Sequence, residues 1–185
     1  LKILGSEKNL VLINNPVDFK RIQNLSSLQD PSIKKYYEDS SYTYLIAAGR
    51  LIKQKGFEML IEAVALTNNP KIKLAILGHG PLEENLIALI EKYKLQEKVS
   101  LIGYKKNPYA WISQANAFVL SSYYEGFPNV VLEALSCGTP VISTPAPGGT
   151  KEILESIEEC HLSKDISASS LEQAISNFTD SKHQR

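Results

Sequence analysis

The chain has 185 residues, 43% of them hydrophobic and 22% charged, which suits one ordinary globular domain and argues against a disordered or membrane-spanning chain. Twenty basic side chains balance twenty acidic ones, so no net field draws the chain to nucleic acid or an anionic membrane, and any phosphate must be held locally. Apolar runs such as "LVLI" and "AFVL" fall far short of the roughly 20 residues that a spanning helix needs.

Taken in chain order, "LKILGSEKNL" lacks the apolar core and small-residue cleavage site of a signal peptide, which leads to the expectation of a cytoplasmic protein. "LVLINNP" and "YTYLIAAG" are the first two strand candidates, and the polar stretch 18–41 between them reads as a short helix plus loops. In "RLIKQKGFEMLIEAVALT", Phe57, Leu60, Ile61, Val64 and Ala65 fall on one helical stripe. "IKLAILG" reads as a buried strand closed by Gly78, and "PLEENLIALIEKY" as a helix with Pro81 in its first turn. Then follow a strand "KVSLIG", a short helix "NPYAWISQA", a strand "AFVLSS", a helix "PNVVLEALSCG", a strand "PVIST", a helix from "GGTKEILES", and a serine-capped closing helix "SASSLEQAISNF".

Strand and helix alternate for about five rounds without a fixed repeat, the pattern of a doubly wound, Rossmann-like α/β domain with a parallel sheet. Residues 1–185 form one domain in this reading: a strand and irregular segment over 1–41, core strand–helix units over 42–162, and a terminal helix and tail over 163–185. Such sheets bind ligands outside the carboxyl ends of their strands, at loops that begin here at Gly49, Gly78, Gly103, Ser121 and Thr144. Cys137 and Cys160 read as reduced packing residues, and His79, His161 and His183 have no metal-ligand spacing, so no metal site is expected.

Several of these loops carry candidate chemistry. "GRLIKQKGF" sets Gly49, Arg50 and Lys55 between a strand and a helix, where a guanidinium fork, an ammonium and free helix N–H groups suit a diphosphate; a solvated basic loop is the equal alternative. "LGHGP" is neither a dinucleotide fingerprint nor a P-loop, and by itself is an ordinary strand-to-helix turn. "SSYYEGFPNVVLEALSCGTPVIS" places Glu125 before a helix and Glu133 about one and a half turns into it. Pro128 is read there as a first-turn residue that leaves the N–H groups of Asn129 and Val130 free. Taken alone, Glu125 is better explained as a helix-dipole partner and Glu133 as a surface residue than as catalytic groups. "APGGTKEIL" offers Gly148 and Gly149 for close backbone approach, or simply a turn with Thr150 as helix cap.

The ordered set "GRLIKQKGF", "LGHGP", "LIGYKKN", "EGFPNVVLEALSCGTPVI" and "GGTKEIL" resembles the C-terminal, nucleotide-sugar-binding domain of group 1 retaining glycosyltransferases, one half of the GT-B architecture, over roughly residues 10–160. The E-x7-E pattern from Glu125 to Glu133 is its most specific part. The resemblance implies that Arg50 and Lys55 grip the donor diphosphate with Gly49, Asn129 and Val130. Glu125 then lies beside the transferred sugar as the catalytic acid, and Glu133 accepts hydrogen bonds from the ribose hydroxyls. The backbone of Gly126 and Phe127 flanks the sugar, and the base rests near Ile102 and Tyr104. Catalysis would be metal-independent and without a cofactor, on a donor that is a uridine rather than a guanosine diphosphate sugar. Acceptor would sit on an N-terminal domain absent from this chain, and the full-length protein would be cytoplasmic or peripheral to the membrane. A nucleotide-sugar 2-epimerase of the same fold and a non-catalytic binding module are the alternatives. "EGFPN" for "EGFG" and "GGTKE" for glycine followed by Val-Pro-Glu depart from the commoner pattern in loops that touch the sugar, which leaves its identity open.

Overall fold

The structure, a computed structural model, describes residues 17–28, 30–155 and 157–182. Its centre is a parallel six-stranded sheet in the order β3-β2-β1-β4-β5-β6. The strands are β1 Thr43–Ala48, β2 Ile72–Leu77, β3 Val99–Gly103, β4 Ala117–Leu120, β5 Val141–Ser143 and β6 His161–Leu162. The chain winds outward from β1 through β2 to β3, then returns to the other side of β1 and winds outward again. Strand order therefore reverses between β1 and β4, where Leu45 pairs with Ala117 and Ile46 with Phe118. A crevice opens at the carboxyl ends of two strands whose chains depart in opposite directions.

The continuous apolar runs follow from burial on both faces of the sheet. Leu45, Ala47, Leu74, Ile76 and Val119 join one core, and Ile46, Ala75, Leu77, Phe118 and Leu120 join the other, so alternate residues of each strand serve opposite faces. The first core is covered by α3 Phe57–Leu66, α4 Glu83–Lys92 and α8 Ala168–Lys182, through Leu60, Ile61, Leu86, Leu171 and Ile175. The second is covered by α2 Pro31–Tyr36, α5 Tyr109–Ile112, α6 Asn129–Ser136 and α7 Thr150–Leu154, through Ile33, Trp111, Val131 and Leu154. Phe118, fully buried on the central β4, is a site where truncation to alanine costs about 3–5 kcal/mol.

The first strand candidate, residues 10–16, lies outside the described residues, as does His183. The polar stretch that follows forms two helices where one short helix was expected: α1 Phe19–Ser26 and α2. Each begins on an aspartate whose carboxylate takes a backbone N–H, Asp18 from Arg21 at 3.0 Å and Asp30 from Ser32 at 2.8 Å. Pro81 precedes α4 rather than standing in its first turn, because the helix starts at Glu83. Pro128 is the cap residue before α6, with ψ of 70°, so it too lies outside the helix. Thr150 does not cap α7: Gly149 occupies that position, and the Thr150 hydroxyl is buried without a hydrogen-bond partner. The closing helix does begin on its serine, since Ser167 Oγ accepts from the N–H of Ser170 at 3.2 Å.

Candidate functional site

Every loop singled out in the sequence leaves the same edge of the sheet, and three glycines let those loops interlock. Gly78 has φ of +136°, and a Cβ there would stand 1.9 Å from the Gly49 carbonyl oxygen. At Gly56, φ +62°, a Cβ would stand 2.1 Å from the Ser121 oxygen; at Gly148, φ +112°, 1.9 Å from the Glu125 oxygen. The β1, β4 and β5 loops are therefore packed backbone to backbone. At Gly126, by contrast, nothing lies within 4 Å of the Cβ position, and the space beside it is open.

This interlock brings Lys55 and Glu125 together across 70 residues of sequence. Lys55 Nζ donates to Glu125 Oε1 at 2.8 Å, with the side chains 21% and 8% exposed. Ser122 Oγ donates to the same oxygen at 2.5 Å. Glu125's N–H donates to the Pro147 carbonyl at 2.8 Å, and Ser121 Oγ donates to the Lys55 carbonyl at 2.8 Å. The pair sits at the β1/β4 crevice. Glu125 is thus held by its own charge partner, which replaces the helix-dipole alternative.

Beside the pair lies an open cleft of about 350 Å³ lined by Gly49, Arg50, Gly78, His79, Tyr104 and Lys105 among others. Arg50 is exposed and makes no ion pair among the described residues. Tyr104 is 69% exposed and meets the His79 ring edge-on at 5.8 Å between centroids. Ile102, two residues earlier on β3, packs half-buried against the second core and does not line this cleft. His79 and Lys105 carried no sequence signal beyond their position in loops after β2 and β3.

At α6 the N–H of Asn129 turns back to the Phe127 carbonyl at 2.9 Å, so it is not free as expected. The N–H of Val130, at the second helical position, has no intrahelical acceptor to reach. Glu133 lies half-buried on the same helix, and its carboxylate makes no hydrogen bond or ion pair among the described residues. Burial pushes its carboxyl above the ordinary carboxylate range. Burial, and after it the nearby Glu133 carboxylate, push the Tyr109 phenol up and the Cys137 thiol up to about 11. An uncompensated half-buried acceptor is thus present where the sequence put a ribose-binding acid. Ser122 is the site residue that sequence reading missed, and Thr144 was read only as the start of a loop; Ser122 stands three positions before Glu125, a spacing that suits a side-chain contact across a tight turn.

A doubly wound, six-stranded parallel sheet flanked by helices is the fold of one half of a GT-B protein, and solved glycosyltransferase structures share it. A Rickettsia africae glycosyltransferase superposes with a TM-score of 0.82 at 19% identity, over 95% of this chain and 48% of that one. The Anabaena HepE complex with UDP and glucose gives 0.79 at 22% identity, over 93% and 48%. At these identities the likeness is one of fold. The sequence supplies the family: the pattern for glycosyl transferases group 1 matches residues 29–185, and the chain belongs to that family. An uncharacterised glycosyltransferase of Methanocaldococcus jannaschii is 41% identical over 148 residues, 77% of this chain and 36% of that protein. The N-acetylgalactosamine-N,N'-diacetylbacillosaminyl-diphospho-undecaprenol 4-alpha-N-acetylgalactosaminyltransferase of Campylobacter jejuni is 34% identical over 148 residues, 80% of this chain and 38% of its length. The chain thus spans little more than a third of the length of these relatives.

Proposed function

We propose that the chain is the donor-binding half of a retaining glycosyltransferase, which moves a sugar from a nucleoside diphosphate sugar to an acceptor in cell-envelope polysaccharide or lipopolysaccharide building. The observation that carries this reading is the meeting of Lys55 and Glu125 at the β1/β4 crevice, with the Arg50 cleft directly beside it. Arg50, Lys55, the Gly49 loop and the Val130 N–H hold the diphosphate. As the bond from the anomeric carbon to phosphate breaks, its electron pair leaves with the phosphate oxygen, and these fixed positive groups stabilise the charge that develops there. They supply that charge themselves, so the reading assigns no metal and no cofactor.

Glu125 flanks the transferred sugar, against the open space beside Gly126 and the Phe127 backbone. The two ribose hydroxyls donate to Glu133, which relieves its unpartnered burial. The base rests on Tyr104. A uridine nucleotide is favoured, in line with the UDP in the Anabaena complex, and a hexose or N-acetylhexosamine is the sugar transferred, in line with the name of the Campylobacter relative. That relative's name also describes a diphospho-undecaprenol-linked substrate, and the same reading has the complete protein take a lipid-linked saccharide acceptor, held by a further domain. No helix among the described residues is long and apolar enough to cross a membrane.

The test is product analysis with the complete polypeptide, a panel of UDP-sugars and lipid-linked saccharide acceptors. A glycosylated acceptor that keeps the donor's anomeric configuration, lost in Glu125→Ala, is expected. An epimerised free donor, or Glu125→Ala turning over as the parent does, overturns the reading.

A further inference from the structure

Glu125 is fixed from three loops, and the way it is fixed is asymmetric. Both side-chain donors, Lys55 Nζ at 2.8 Å and Ser122 Oγ at 2.5 Å, reach the same oxygen, Oε1. Oε2 accepts no hydrogen bond among the described residues and is not among the buried unpartnered atoms, so it keeps some access to solvent. Ser122 is itself fully buried. Its carbonyl accepts from Thr144 Oγ1 at 2.7 Å, and the Thr144 N–H donates to the Leu120 carbonyl at 2.9 Å, which ties the turn after β4 to the end of β5.

The two donors differ in what else they can do. The Lys55 ammonium is 21% exposed and carries the charge that a donor diphosphate attracts, so a bound diphosphate competes with Glu125 for it. The Ser122 hydroxyl is enclosed and has no other hydrogen-bond partner among the described residues. Resting on the donor-binding reading above, we propose that Ser122 is a positioning residue for glycosyl transfer. With Thr144 as its buttress, it anchors Glu125 Oε1 whether or not Lys55 is drawn to the diphosphate, and so keeps Oε2 aimed at the sugar side of the crevice. Its contribution is made to the sugar end of the donor and to turnover, not to the hold on the nucleotide.

The experiment compares the complete polypeptide with Ser122→Ala, Ser122→Thr and Thr144→Val, reading UDP affinity by titration and UDP release from a UDP-sugar at steady state. Ser122→Ala is expected to bind UDP within about twofold of the parent while kcat falls about tenfold, the effect of removing one hydrogen bond to a charged group. Ser122→Thr, which keeps the hydroxyl, restores most of kcat, and Thr144→Val gives a smaller loss of kcat with UDP affinity unchanged. If Ser122→Thr does not fold, the split between kcat and UDP affinity in the other two variants decides. Unaltered kcat in Ser122→Ala, or UDP affinity and kcat falling together, overturns the positioning role alone. A parent protein that binds no nucleoside diphosphate overturns the donor reading and this inference with it.

Discussion

Replacing Lys55 by methionine isolates the energetics of the crevice. The Lys55 stem runs along the Gly49 backbone, its Cγ, Cδ and Cε each 3.5 Å from where a Gly49 Cβ would stand, and methionine keeps much of that packing. What is lost is the 2.8 Å contact to a carboxylate only 8% exposed, which then keeps Ser122 as its one side-chain donor. Leaving a buried charge half-paired costs about 3–5 kcal/mol, and the 21% exposure of Lys55 and the retained serine bring this to about 2–3 kcal/mol. For a chain of this size that lowers Tm by about 4–12 °C. Urea denaturation of Lys55→Met, Glu125→Gln and the double variant separates pairing from packing. Neutralising Glu125 removes the orphaned charge, so the double variant is expected to be more stable than the sum of the singles predicts by about 1–2 kcal/mol. Single effects that add to within about 0.5 kcal/mol would refute the argument that the pair is coupled.

The remaining expectations concern neighbouring residues. Gly148→Ala, whose Cβ would stand 1.9 Å from the Glu125 oxygen at φ +112°, is expected to destabilise by about 3 kcal/mol or more, whereas Gly126→Ala, with open space at its Cβ, stays within about 1 kcal/mol of the parent by the same denaturation assay. Because burial raises the Glu133 carboxyl in the folded chain above its unfolded value of 4.5, the folded state binds more protons just above that pH. Stability therefore falls as pH rises from about 4.5 through the raised folded value and then levels, and Glu133→Gln flattens this slope while weakening UDP binding; a parallel slope in Tm against pH for the variant would count against it. Arg50→Ala, at an exposed side chain with no ion pair, leaves Tm unchanged and lowers UDP affinity about tenfold, the size of one charge-assisted hydrogen bond.

How much of this was legible in the sequence follows from how local each signal is. "IKLAILG" and "AFVLSS" announced β2 and β4 because strands buried on both faces read as near-continuous apolar runs, broken in β2 only by Lys73. The stripe of Phe57, Leu60, Ile61 and Val64 announced α3 because one helical face carries the core. The two-residue β6 was missed, since His161–Leu162 is too short to show a period. The start of α2 was encoded in Asp30-Pro31, a cap followed by a proline, yet its six residues of mostly polar composition hid it. At the site, the loops and the two glutamates were visible as motifs. The contact between Lys55 and Glu125 was not, because it exists only once the topology sets β4 beside β1. Ser122 stayed silent, and Thr144 showed only as a loop start, for the same reason: a buried hydroxyl becomes informative through its partner, and Thr144 finds its own across 22 residues of chain.

The central claim, that the β1/β4 crevice holds a nucleoside diphosphate, is tested most directly by calorimetric titration of UDP and GDP into the chain. Saturable binding of one molecule of UDP per chain, weakened by Arg50→Ala and by Glu133→Gln and tighter than binding of GDP, is the predicted result. No saturable heat with either nucleotide, or UDP binding that both substitutions leave unchanged, would contradict it.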